Sequence, residues 1–470
     1  MATVAETPKD SFRLSQLIYD TRYRSITIQV IVLLLVLLFV GWLADNTIKN
    51  LAAKDKDIDF GFLWVRAGYD IDQQLIPYTN DSTHGRAAVI GLLNTLVVAF
   101  FGCIFATIIG VFAGVLRLSN NWLVARIMTV YVEVFRNVPL LLWIILAFTI
   151  FSETRPEPKD YKITAPMVEF VTTKMGDEGR TIPPDLMITP RMVAGYVDDY
   201  PDEAKALGIA RPATKAFFGT VAITNRGSNV PMPLLSRPLG SFEVAGVPIN
   251  LSSLAVLAVL AASIFASRAL TRRAAAVQEA TGVRPVTWWK NIAIIILPAA
   301  ALLWAMGLHW DVPGFASDDH GVSKGFNFVG GINIAHSFTA LLVALSLYTG
   351  SYIAEAVRGG ILAISRGQTE AAYALGIRPG RTMRLVVLPQ AVRVIMPPLI
   401  SQYLNLTKNT TLGMAISYLD LKGTLGGITL NQTGRELECM LLMMLIYLIL
   451  SLIISSVMNA FNTAMKLKER

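Results

Sequence analysis

"TEAAYALGIRPGRTMRLVVLPQAVR", residues Thr369 to Arg393, is polar, arginine-rich and punctuated by glycine, and it lies between two long apolar stretches. Its first part, "EAAYALG", favours a helix, with Gly376 as the natural stop. Pro379-Gly380 then makes a turn, and a second short helix through "RTMRLVVLPQ" leads back into apolar sequence. The spacing therefore predicts a helix–turn–helix elbow studded with arginine. Such an elbow either pins itself to anionic lipid as a surface helix or serves as a docking knob for a soluble partner.

The flanking sequence decides where the elbow sits. The chain has 470 residues, 53% hydrophobic and 16% charged, with a mean hydropathy of +0.52. A soluble domain carries about a quarter charged residues. A helix needs roughly 20 apolar residues to cross the hydrocarbon layer. About eight stretches qualify, at 26–44, 88–116, 127–151, 252–269, 291–308, 337–357, 394–416 and 438–460. The expected class is an all-α polytopic membrane protein. The first stretch, "ITIQVIVLLLVLLFVGWLA", has no charge. A long polar run precedes it and no small-x-small cleavage site follows closely, so it reads as an uncleaved anchor.

Basic residues in short loops orient such a chain. They cluster in the N-terminal segment (Lys9, Arg13, Arg22, Arg24) and at 270–290 (Arg272, Arg273, Arg284, Lys290). They cluster again in the elbow (Arg366, Arg378, Arg381, Arg384, Arg393) and in the terminal "KLKER". With eight spans all four clusters fall on one side, which is then cytoplasmic, and both termini lie there. The net charge of +8 is accounted for by these clusters, so nucleic acid is not an expected partner. Cys103 and Cys439 lie in or beside apolar spans and read as inert thiols with no metal spacing.

The other side receives three segments. Residues 45–87 are mixed polar, and 309–336 hold Asp311, Asp318 and Asp319. Residues 152–251 form a proline-rich insertion, nearly balanced in charge, whose middle "DDYPDEAKALGIARPATKAFFG" suits a short helix. The chain thus divides into an anchor region (1–87), a first core part (88–151), the insertion (152–251), two further spans with an outer loop (252–336), and a second core part (337–470). The elbow occupies about 359–393.

Polar groups at membrane depth usually face a bundle interior or a watery cavity. Asn94 sits among apolar neighbours in the second span. Gln402, Asn405 and Asn409 share a face of the seventh, with Lys408 beside them. These amides either glue helices together or line a polar path, and Lys408, which needs a partner or a cavity at depth, favours the path. Glu133 and Arg136 are three apart and can pair, with Pro139 breaking or kinking the helix just after. Glu355 and Arg358 read as another interfacial pair.

At this point the elbow resembles a known pattern, the EAA loop of bacterial ABC-importer permeases: E-A-A, three residues, G, nine residues, then I-x-L-P. Here stand Glu370, Ala371, Ala372, Gly376, then Val386, Leu388 and Pro389, with valine for isoleucine as the one departure. "NTLVVAFFG", "RLS", "FRNVPLLL" and "LTKNTTLGMAIS" are similar to the polar-amino-acid branch. The extra first span, the outer insertion with "TNRGSNVPMP" and two added spans resemble the larger permease subunit of general L-amino-acid transporters of the Aap/Bzt type.

The resemblance implies a five-helix type I importer permease core in the bacterial inner membrane, moving L-amino acids inward by alternating access. It implies that the elbow is a coupling helix docked on a cytosolic ABC ATPase homodimer, with small Ala371 and Ala372 allowing close approach. A second related permease chain, most simply as a heterodimer, a periplasmic amino-acid-binding protein and membrane lipid complete the expected partners. No Gly-Lys dipeptide occurs, so no P-loop can form. No cofactor is expected in this chain; ATP and Mg belong to the partner ATPase. An ion-coupled secondary transporter or channel is the alternative, but it predicts internal repeats, and none is visible. A membrane enzyme fits poorly, because His84, His309, His320 and His336 make no metal motif.

Overall fold

The structure is a computed structural model that describes residues 21–53, 58–180, 183, 186–244, 247–283 and 285–464. Lys9, Arg13, Arg284 and the terminal basic run therefore lie outside the described residues.

Among the described residues seven helices are long and apolar enough to cross a membrane, and a bent pair makes an eighth if it counts as one span. They are α1 (Thr21–Ala52), α2 (His84–Leu116), the pair α3 (Trp122–Asn137) and α4 (Leu140–Glu153), α8 (Leu251–Thr281), α9 (Trp288–Ala305), α10 (His336–Leu362), α13 (Leu388–Asn409) and α16 (Glu436–Ala464). The third expected span is thus two helices meeting at 107°. Val138 is extended (φ −101°, ψ 133°) and Pro139 follows it. The proline ring disfavours a helical predecessor, which favours the corner. Several helices outrun the expected spans because a helix can continue past the hydrocarbon layer into water.

α10 is the hub. Its apolar window is 61% buried within the chain, against 0% for α1 and 6% for α8 and α9. It packs on α2, α4, α3 and α13. The contact with α2 depends on small residues. A Cβ at Gly110 would lie 2.6 Å from Ile353 Cβ and 2.8 Å from the Gly350 carbonyl. A Cβ at Gly114 would lie 2.6 Å from the Ala354 carbonyl. In lipid no hydrophobic force draws helices together, so close backbone approach supplies the dispersion contacts that hold the pair. α8 and α9 pack chiefly on each other.

The segments expected on the outer side are folded, and here the structure adds to the expected all-helical class. α5 (Ala165–Asp177), α6 (Pro190–Asp199) and α7 (Pro201–Ala206) enclose a small core of Phe170, Val171, Met175, Ile188 and Val193. The proline-rich stretch expected to hold one short helix holds α7 and the end of α6. Among the described residues nine short strands accompany them: β1 (Ala222–Thr224), β2 (Gly227–Val230), β3 (Met232–Leu235), β4 (Ser241–Val244), β5 (Val247–Asn250), β6 (Leu308–Asp311), β7 (Gly314–Ser317), β8 (Ser323–Val329) and β9 (Ile332–Ile334). β2 pairs with β9 and β3 with β6, both antiparallel. The insertion and the later outer loop therefore join across the α8–α9 hairpin.

Candidate functional site: the elbow and the polar faces of the spans

The elbow forms as two short helices. α11 (Arg366–Ala374) ends at Gly376, whose φ is +73°. The Gly376 N–H donates to the Tyr373 carbonyl at 2.9 Å and the Ile377 N–H to the Ala372 carbonyl at 3.1 Å. These two bonds make a Schellman stop, which satisfies the last helical carbonyls and requires a left-handed residue. Pro379 opens α12 (Pro379–Thr382), and a π-helical turn at Met383–Val387 leads into α13. There the Leu388 N–H reaches back five residues to the Met383 carbonyl. Pro389 has no N–H to give the Leu385 carbonyl, and the wide turn accommodates its ring.

Glu370 and Ala371 are exposed, whereas Ala372 is buried, so only one of the two alanines is offered to a partner. Leu388 and Pro389 are exposed as well. The elbow also exposes apolar side chains that sequence reasoning passed over: Leu375 (79%), Leu385 (65%), Met383 and Tyr373. The available signal was their presence in an otherwise polar loop.

The polar row on α13 divides. Asn405 and Lys408 are exposed in the single chain, and Gln402 and Asn409 are half-buried. Among the described residues Lys408 forms no ion pair. The other flank of α13 faces α2, where the Tyr403 and Thr107 hydroxyls meet at 2.6 Å. They border a mostly apolar cavity of about 540 Å³ that also touches Cys103 and Thr407.

Asn94 is not brought to this row. It is buried, and its amide nitrogen donates to the carbonyls of Gln73 (2.8 Å) and Leu419 (2.9 Å). Leu419 belongs to an irregular passage between α13 and α16: a 3-10 turn (Thr410–Ile416), the left-handed Ser417, α14 (Leu421–Gly423), a π turn (Thr424–Thr429) and α15 (Leu430–Thr433). Asp420 is its buried centre. Its carboxylate accepts from Thr410 Oγ1 and Tyr447 OH, both at 3.2 Å, and from the Gly423 N–H at 2.9 Å. Non-helical backbone at such depth survives only when protein groups satisfy it.

The two expected interfacial pairs form one cluster. Glu355 and Arg358 do pair, at 2.9 Å. Arg136, however, faces Glu355 at 3.7 Å, and Glu133 turns instead to Arg117 at 3.9 Å. Both residues lie on α3, before the corner, and their side chains part: Arg136 goes towards Glu355 on α10 and Glu133 towards Arg117 at the end of α2.

A larger pocket, about 810 Å³, lies in the 152–251 insertion and touches Arg191, Arg211, Lys215 and Phe218. Burial lowers the pKa of Lys215 there. Among the described residues no His, Cys, Asp and Glu cluster could hold a metal.

Residues 292–467 match the family of binding-protein-dependent transport system inner membrane components. The chain is 57% identical over 471 residues to the glutamate/glutamine/aspartate/asparagine transport system permease protein BztB of Rhodobacter capsulatus, covering all of both chains. It is 38% identical to the general L-amino acid transport system permease protein AapQ of Rhizobium johnstonii, over 96% of this chain and 94% of that one. It is 36% identical to the putative amino-acid ABC transporter permease protein YhdX of Escherichia coli K12, over 94% of each. With seven or eight candidate spans among the described residues, a small-residue core and this full-length similarity, the chain belongs to the inner-membrane permeases of amino-acid ABC transporters.

Proposed function

We propose that this permease imports acidic amino acids and their amides, received from a periplasmic amino-acid-binding protein and released to the cytoplasm by alternating access. The full-length similarity to BztB carries this substrate range. The chain itself hydrolyses nothing; ATP and Mg are handled by a separate ABC ATPase homodimer. The elbow seats in that ATPase through Glu370, Ala371 and its exposed apolar side chains, with Gly376, Leu388 and Pro389 shaping the joint. ATPase closure shifts the spans because the partner binds the two states unequally.

A second, related permease chain covers the exposed face of α13 in a heterodimer. Gln402, Asn405, Lys408 and Asn409 then line this chain's half of the path. Asn94 positions the 417–421 backbone beside it. Both termini lie in the cytoplasm.

The test is uptake into proteoliposomes by the purified complex with its binding protein. ATP-dependent accumulation of glutamate and glutamine, lost on Gly376→Pro, is the expected result. Uptake driven by an ion gradient without ATP would favour a secondary transporter and overturn the reading.

A further inference from the structure

The charged cluster at the elbow end of α10 is short of hydrogen-bond acceptors. Arg117, Arg136 and Arg358 share two carboxylates, and Glu133 reaches only Arg117, at 3.9 Å. Glu355 serves the rest. One of its oxygens accepts from Arg358 Nη2 at 2.9 Å, and the other is bonded to Arg117 Nη1 and lies 3.7 Å from Arg136 Nη1. The Nε atoms of all three arginines are buried without an acceptor.

Arg136 is the least satisfied. Among the described residues it makes no hydrogen bond, and its one ion pair is the 3.7 Å contact. Its guanidinium is held 5.2 Å from the centre of the Tyr352 ring, a cation–π contact that fixes its position without using its N–H groups. The Tyr352 hydroxyl meets that of Tyr348, one turn further along α10, at 3.1 Å. Tyr348, Tyr352, Glu355 and Arg358 thus follow one face of α10. The side chains of Arg136 and Glu355 are 34% and 31% exposed, so the site can be reached from outside this chain.

A buried Nε without an acceptor is costly, and the guanidinium's two reachable Nη groups, which donate to no protein acceptor among the described residues, match a carboxylate. We propose that Arg136 is a transit site for a carboxylate of the amino-acid cargo, with Glu355 as the resident carboxylate that competes with it. This rests on the importer reading above. A pure latch between helices would weaken whichever partner were removed. A competitive site gives opposite signs: removing Arg136 weakens cargo binding, and neutralising Glu355 strengthens it.

The experiment is equilibrium binding of radiolabelled glutamate to the permease–ATPase complex in nanodiscs, without binding protein. Expected are a Kd raised at least tenfold by Arg136→Gln, raised less by Arg136→Lys, and lowered severalfold by Glu355→Gln. If Arg136→Gln does not assemble, the opposite shifts of Arg136→Lys and Glu355→Gln decide. Shifts of the same sign, wild-type affinity in the Arg136 variants, or no glutamate binding by a wild-type complex that transports it would each overturn the transit site. A wild-type complex that transports no amino acid with ATP and binding protein sinks the importer reading instead.

Discussion

The side-chain nitrogen of Asn94 donates to the main-chain carbonyl of Leu419 at 2.9 Å, tying the second span to the irregular passage that precedes the last one. The same nitrogen holds the Gln73 carbonyl, so one amide fixes three parts of the chain. Asn94→Leu removes both bonds and strands two acceptors. A buried unsatisfied polar group costs about 1–3 kcal/mol. We expect a clearly lower melting temperature of the detergent-purified complex, and an unchanged one would refute the structural role.

Gly110 makes a second, sharper test. A Cβ there meets Ile353 and the Gly350 carbonyl at less than 3.0 Å, while a Cβ at Gly41 in α1 meets nothing within 4 Å. Overpacking costs about 1–3 kcal/mol. Gly110→Ala should lower melting and yield, and Gly41→Ala should leave both within error. Equal behaviour of the two would show that the α2–α10 contact is looser than described.

The stop at Gly376 needs a left-handed residue. Such a conformation costs an L-residue about 1–2 kcal/mol. Gly376→Ala should reduce uptake per ATP hydrolysed, with Gly376→Val worse and Gly376→Asn mildest. A ratio that ignores this order would show that elbow shape is not what couples the two activities.

The exposed apolar side chains of the elbow predict an interface. Leu375→Asp should lose the ATPase on co-purification while the permease itself remains monodisperse. Retention of a full complement of ATPase would place the contact elsewhere.

On α13 the exposed Asn405 and Lys408 separate path from glue. Alanine at either should slow uptake several-fold and spare assembly. If both variants transport normally, the polar row does not line the path.

How much of this was legible beforehand varies by element. The spans were readable because each must supply its own apolar run, whatever its neighbours. Gly376 and the corner at Pro139 were readable because left-handed backbone and a missing N–H are local properties. The strands were not, since runs of 3 to 7 residues carry little period and their partners lie across two spans: Met232 pairs with Asp311 and Ser228 with Ile334. Asn94 could be singled out as a buried amide, but not as a tie to Leu419. Arg136 and Glu133, three apart on one helix, looked like partners, but the packed ends of α2 and α10 bring Arg117 to Glu133 and Glu355 to Arg136.

The sequence by itself determined the membrane class, the elbow and the family, because length, apolarity, proline, glycine and motif spacing act along the chain. The tertiary structure alone decided which polar groups are spent on holding the frame and which remain available. That division depends on which acceptor stands within 3 Å of each donor. Asn94 finds two carbonyls, Asp420 finds Thr410, Tyr447 and a backbone N–H, and Arg136 finds the face of Tyr352 and, among the described residues, no hydrogen-bond acceptor.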